Sequence, residues 1–264
     1  LKEKAISVYI KRLNRLREKY FSGKNLNVYT TVIPDKIYYL ADDVGCPVID
    51  YDALFDKVSK EVDAKFINVA DKLTLDSYYT TDTHWKESKI VPVADKLLEA
   101  MNAAKNEALS QAATLSPFYG VYYGQSALPL APDSVEYLLS ERLKNATVLR
   151  ADKTTKKLME AKLYYEENIN ADDPYDIFLG GACTVTVIQN TGKTNGKTLY
   201  LFSDSFGRSL APLLLSDYDK VVFYDIRYIR MSQALEIMPI EPGSDVLMAY
   251  NISAIAVSSN LQVD

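Results

Sequence analysis

Three apolar segments, "TLYLFSD" (198–204), "KVVFYDI" (220–226) and "DVLMAYNI" (245–252), follow one another near the end of the 264-residue chain. Each runs through apolar residues without the alternation that a half-exposed strand shows, so each is expected to be covered on both faces. Helices are predicted between them over 208–215 and 231–237. Apolar strands alternating with helices signal βαβ units and a parallel sheet between helical layers. The predicted class is therefore α/β.

The rest of the chain is read around that sheet. Ile6, Tyr9, Ile10, Leu13, Leu16 and Tyr20 recur at helical spacing over residues 2–20, predicting an N-terminal amphipathic helix that ends near Gly23. "NVYTTVIPDK" predicts a strand stopped by Pro34, followed by a helix over 51–60 and a short strand in "KFINVAD". A helix is predicted from about 86 to 101, with Pro92 either kinking it or marking its first turn. Residues 112–132 mix Gly, Pro, Ser and aromatics without a period and predict a surface loop excursion; a short helix is predicted near 134–142. "NATVLRA" and "DIFLGGACTVTVIQN" predict further strands. Residues 1–264 are expected to form one domain.

Composition narrows the function classes. A net charge of −5 without a Lys/Arg stripe argues against nucleic acid as a partner. No apolar run is long enough to span hydrocarbon. The first residue is Leu1 rather than Met, so an upstream signal segment or anchor is an open expectation. Cys46 and Cys183 either pair or stay free, and a chain of this length needs no disulfide framework. Cys183 lies in an apolar run and reads as a buried small side chain. One histidine and scattered carboxylates offer no metal-ligand spacing, and no Gly-rich phosphate loop is present, so neither metal nor cofactor is expected. Twenty tyrosines against eight phenylalanines favour a ring that also carries a hydroxyl, which suits strand packing and sugar surfaces alike.

"YYTTDTHWKES" (78–88) holds the only histidine, His84, and the only tryptophan, Trp85. Acyl chemistry requires a hydroxyl, a base and a group that fixes the base's tautomer. Asp82, two positions before His84, suits the last role; the same pair also reads as a capped helix start. Ser205 stands where an apolar strand hands over to a helix, at the strand end where open α/β sheets place ligands and helical N–H groups can meet an oxyanion. It also reads as a helix cap. Trp85 either walls a cleft or packs a helix start onto the core, and Arg227 with Tyr228 either lines the same cleft or pairs with a carboxylate.

"SDSFG" (203–207) resembles the nucleophile block of SGNH, or GDSL-like, hydrolases, with Ser203 in place of glycine. "TDTHW" (81–85) resembles the motif of the DHHW family, with Thr83 where its first histidine stands. The order, Asp-X-His first and Ser later, is similar to that of alginate O-acetylating proteins with an SGNH-like domain. The resemblance implies a three-layer α/β/α fold with a mostly parallel sheet. It implies Ser205 as nucleophile, His84 as general base and Asp82 as its orienter, with the N–H of Ser205 or Phe206 in the oxyanion hole. Asn251 and Gly181, or Gly180, are the expected further contributors, although no Gly-X-Asn-Asp block exists.

The implied activity is that of a serine esterase or O-acetyltransferase acting on acetylated carbohydrate or cell-envelope polysaccharide, outside or on the surface of a bacterial cell. Envelope proteins are the expected partners. The competing expectation is a catalytically silent carbohydrate-binding or envelope assembly protein on the same scaffold, since fold does not fix function.

Overall fold

The computed structural model describes residues 1–45, 48–126, 128–192 and 194–264. Its strands are β1 (Asn27–Ile33), β2 (Lys65–Phe66), β3 (Ser110–Phe118), β4 (Asp133–Leu139), β5 (Thr147–Ala151), β6 (Leu158–Ala161), β7 (Val185–Gln189), β8 (Thr198–Ser203), β9 (Lys220–Tyr224) and β10 (Asp245–Asn251). Its α-helices are α1 (Glu3–Leu16), α2 (Ile37–Val44), α3 (Tyr51–Glu61), α4 (Val91–Ala100), α5 (Val121–Ser126), α6 (Glu141–Asn145), α7 (Gly207–Leu214), α8 (Met231–Ile237) and α9 (Ile252–Ala256). Eight strands form one sheet in the order β2-β1-β10-β8-β9-β7-β5-β6. The pairings from β2 through β9 are parallel, and β7, β5 and β6 extend the sheet antiparallel. The fold is α/β with a mostly parallel central sheet flanked by helices.

The apolar strands are apolar because both faces are covered. Tyr200 and Phe202 of β8, Val222 and Tyr224 of β9, and Val246, Met248 and Tyr250 of β10 face a core shared with α1, α3 and α8. Their alternate neighbours Leu199, Leu201, Val221, Phe223, Leu247 and Ala249 face a second core with α4 and α7. Alternation of side chains across a pleated strand thus divides each segment between two helical layers.

Helix α1 buries Ile6, Tyr9, Ile10, Leu13 and Leu16 as its spacing predicts, then continues as a wider π turn over Arg17–Phe21. Helix α4 begins at Val91, so Pro92 marks the first turn, where its missing N–H leaves no helical bond unmade. The predicted loop at 112–132 is instead largely built. β3 pairs antiparallel with β4, and α5 lies between them. The predicted helix near 134–142 is likewise strand β4, followed by α6. This two-stranded sheet buries few of its β3 side chains, so its sequence carries no strong apolar period. In "DIFLGGACTVTVIQN" only Val185–Gln189 is strand, because Leu179, Gly180 and Gly181 turn through positive φ. Cys183 is buried with its thiol against the Val185 carbonyl; any pairing of Cys46 lies outside the described residues. Among the described residues no helix is long and apolar enough to cross a membrane.

Candidate active site

Strand β8 lies between β10 and β9 in the sheet, and its carboxyl end carries "SDSFG". From Thr198 to Ser216 every residue is buried except Ser205, which is partly open to solvent. Asp204 holds the turn that presents it. One carboxylate oxygen accepts the Phe206 N–H at 2.9 Å and the other accepts the Asn251 N–H at 2.8 Å, tying the loop to the end of β10. Burial pushes the Asp204 carboxyl up, against the opposing influence of Arg227 and these two N–H groups. Gly207 lets α7 start directly beneath the strand, since a Cβ there would lie 2.5 Å from the Ser203 Cβ.

The second half of the site comes from 121 residues earlier. The Asp133 carboxylate grips the preceding loop, accepting the N–H of Thr80 at 3.0 Å and both the N–H and hydroxyl of Thr81 at 2.7 Å. Fully buried Asp82 accepts the His84 backbone N–H at 2.9 Å through Oδ1, and the same oxygen lies 2.6 Å from His84 Nδ1. Its other oxygen accepts the Val121 N–H at 3.0 Å. Burial acts to raise the Asp82 carboxyl, but the hydrogen bonds and charge of His84, with the Val121 N–H, outweigh it and hold the group below the usual carboxylate value. Nε2 of His84 lies 2.7 Å from Ser205 Oγ. The three residues expected to act together are therefore in hydrogen-bonded sequence, Asp82 to His84 to Ser205.

Tyr175, on a short 3₁₀ turn at Pro174–Ile177, stacks flat on the imidazole at 3.7 Å between ring centroids and 4° between planes. Its hydroxyl meets Ser209 Oγ at 2.8 Å. Nothing in "DDPYDI" announced it, since a single aromatic in an irregular segment carries no pattern. Gly120 was equally silent. A Cβ on it would fall 2.3 Å from the Asp82 Cβ, so only glycine lets the β3–α5 turn close on that carboxylate. Tyr119 and Tyr122, on either side of that turn, are exposed by 42% and 36%, with the Lys36 ammonium 4.8 Å above the Tyr122 ring.

Several expected site residues have other duties. Trp85 is not a cleft wall. It is fully buried, and its Nε1 donates to Ser209 Oγ at 2.9 Å and the Phe206 carbonyl at 3.2 Å. The Asn251 side chain caps α9 by accepting the Ser253 N–H at 2.9 Å and donates to the Ile33 carbonyl at 3.1 Å, so it is not aimed at an oxyanion. The Phe206 N–H is taken by Asp204. That of Gly181 is taken by the Phe178 carbonyl at 3.2 Å, and Gly180 packs against Arg150 and Tyr165. The Ser205 N–H has no protein acceptor among the described residues, which leaves it as the available donor beside the hydroxyl. Arg227 forms a two-point pair with Asp225 at 2.8 and 2.6 Å, and Tyr228 is 54% exposed beneath its guanidinium; among the described residues neither hydrogen-bonds Ser205 or His84. Arg208, one turn after Ser205, is buried and paired with Asp176 at 2.7 Å. A surface cavity of about 600 Å³ lined by Asn14, Arg17, Phe21 and Asp63 contains none of these groups.

No protein-family model matches the sequence, and no curated protein matches it. Solved structures do match. A DHHW family protein from Eubacterium siraeum shares 20% identity and superposes with a TM-score of 0.78 over 98% of this chain and 90% of that one. PatB1 of Bacillus cereus, in a structure with a sulfonyl adduct, shares 17% identity with a TM-score of 0.75 over 96% of this chain and 90% of its own. The O-acetyltransferase domain of Pseudomonas putida AlgJ shares 12% identity with a TM-score of 0.58 over 96% and 84% respectively. The chain thus has the SGNH-like fold, as its motifs predicted.

Proposed function

We propose that this protein is a serine-dependent acyltransferase or esterase that handles O-acetyl groups of carbohydrate. The observation that carries the reading is the pair of contacts at His84, 2.6 Å to Asp82 Oδ1 and 2.7 Å to Ser205 Oγ, made at the accessible carboxyl end of a central parallel strand. A positioned base within hydrogen-bond reach of a nucleophile, itself oriented by a buried carboxylate, is what acyl transfer through a covalent intermediate requires. Kinship of fold with the O-acetyltransferase domain of AlgJ supports the choice of acetyl, and the exposed tyrosines at the β3–α5 turn support a sugar. An acetylated cell-envelope polysaccharide, met outside the cell or at its surface, is the substrate in this reading.

In the mechanism Ser205 Oγ bonds to the acetyl carbonyl carbon as its proton passes to His84 Nε2, and Asp82 stabilises the imidazolium. The carbonyl π pair becomes an oxyanion facing the Ser205 N–H. Collapse breaks the ester C–O bond, and the departing sugar oxygen takes the proton from His84, leaving acetyl-Ser205. An acceptor hydroxyl, from water or a second sugar, then gives its proton to His84 as its oxygen attacks the acetyl carbon; collapse breaks the bond to Ser205 Oγ, which takes that proton back from His84 and restores the starting serine. The choice between water and sugar sets hydrolysis against transfer.

The competing reading, a binding protein without turnover, is favoured by a single observation: Phe206, Asn251 and Gly181 are all occupied, leaving one N–H donor for the oxyanion. Incubation with p-nitrophenyl acetate separates the two. Wild type should release nitrophenol and gain one acetyl by intact mass, and Ser205→Ala and His84→Ala should do neither. A wild type that forms no adduct and turns over no faster than both variants rejects the enzyme.

A further inference from the structure

The hydrogen bond that Nδ1 of His84 donates to Asp82 fixes one nitrogen of the ring, but one bond leaves the ring free to swing about that contact. The plane must be set by something else, or Nε2 would leave Ser205. Tyr175 supplies a parallel surface at 3.7 Å and 4° over one face, while Phe206 leans on the ring at 4.8 Å and 46°. Tyr175 is itself immobilised. It is fully buried, its hydroxyl shares Ser209 Oγ with Trp85 Nε1, and Phe178 packs 4.9 Å from its ring.

We infer that Tyr175 is a positioning residue for the reaction, its ring face keeping the His84 imidazole in line with Ser205 and stabilising the imidazolium that forms when the serine proton is taken. The inference rests on the acyl-transfer reading of the same site. An aromatic face attracts a cation, and here the cation exists only once the proton has moved. The attraction therefore acts in the transition state and is absent with the neutral ring, which is the kind of contact that raises kcat rather than lowering KM. Tyr175 is buried under the imidazole, so substrate binding should not sense it.

The test compares Tyr175→Phe with two ringless variants, Tyr175→Leu and Tyr175→Met, the second filling the space with a flexible side chain. In p-nitrophenyl acetate hydrolysis the ringless variants should lose roughly tenfold in kcat, the size of one desolvated cation–π contact, with KM unchanged. The Phe variant should keep kcat within about twofold, because it retains the face and loses only the hydroxyl bond to Ser209. A second readout needs no turnover. His84 is the only histidine, so carbethoxylation by diethyl pyrocarbonate, followed through the ultraviolet absorbance of the N-carbethoxyimidazole that forms, reports the exposure of that ring alone. The ringless variants should react faster than wild type and the Phe variant at the wild-type rate. Equal reaction rates in all four proteins overturn the inference, whether or not the wild type turns over. So does a Phe variant as slow in hydrolysis as the ringless pair, which would assign the effect to the hydroxyl. Absence of turnover in wild type would count against the acyl-transfer reading alone, leaving the modification rates to decide on Tyr175.

Discussion

The backbone N–H of Val121 donates to Asp82 Oδ2 at 3.0 Å, so the carboxylate that orients His84 is itself held by the first turn of α5. The proposed triad therefore depends on a segment outside its motifs. Gly120, one residue earlier, is the position at which this dependence is most exposed to substitution.

Gly120→Ala places a methyl 2.3 Å from the Asp82 Cβ and 2.6 Å from its Oδ2. Either the turn or the carboxylate must shift. Displacement of a catalytic group by about 1 Å costs on the order of 100-fold in rate. Ester hydrolysis should fall by that order while circular dichroism retains the wild-type α/β spectrum.

Asp82→Asn keeps the shape of the side chain and removes the charge that stabilises an imidazolium. The expected loss is roughly 10³- to 10⁴-fold in kcat, with KM little changed, measured by steady-state hydrolysis. A loss below about tenfold would remove Asp82 from the mechanism.

Glu87 gives a pH signature of stability. It is fully buried, accepting the Leu138 N–H at 2.8 Å and the Tyr164 hydroxyl at 2.9 Å, and burial pushes its carboxyl up from 4.5 to about 8. Between those values the unfolded chain has released the proton and the folded one retains it. Stability contributed here is complete below about pH 4.5 and falls as pH rises towards about 8. Glu87→Gln removes the titration, and Tyr164 still has the Leu138 carbonyl at 3.0 Å to receive its proton. The variant should melt several degrees above wild type at pH 8, with the gap closing at pH 5, by calorimetry in matched buffers.

Trp85→Phe tests the reassignment of Trp85 from cleft to core. The change removes the indole N–H bond to Ser209 and leaves a small gap, a loss of about 1–3 kcal/mol. The melting temperature should drop, and KM for a sugar ester should stay within about twofold of wild type. A large rise in KM with unchanged stability would return Trp85 to the substrate.

The sequence disclosed what single, unmistakable features control. β8, β9 and β10 were readable because burial on both faces leaves no polar interruption, and His84 was readable because there is no other imidazole to choose from. Ser205 followed from the strand-to-helix handover. The small β3–β4 sheet was hidden because a largely exposed strand is free to hold Ser, Gln and Thr. Asn251 looked like an oxyanion donor from its place at a strand end. Which acceptors its amide meets depends on the β1 carbonyls beside it, and a strand 218 residues away in sequence cannot be seen from a local motif. Tyr175 was invisible for the same reason.

Strand β10, the last in the chain order, is not at an edge of the sheet but between β1 and β8, where it pairs with both and donates the Asn251 N–H to Asp204. During synthesis Asp82, His84 and Ser205 all emerge before the strand that closes the sheet between them. Until β10 inserts, β1 and β8 have no common neighbour and Asp204 lacks one of its two N–H partners. A shortened polypeptide ending before residue 245 would carry the whole proposed triad without the strand that joins β1 to β8 and without the Asn251 N–H that Asp204 accepts.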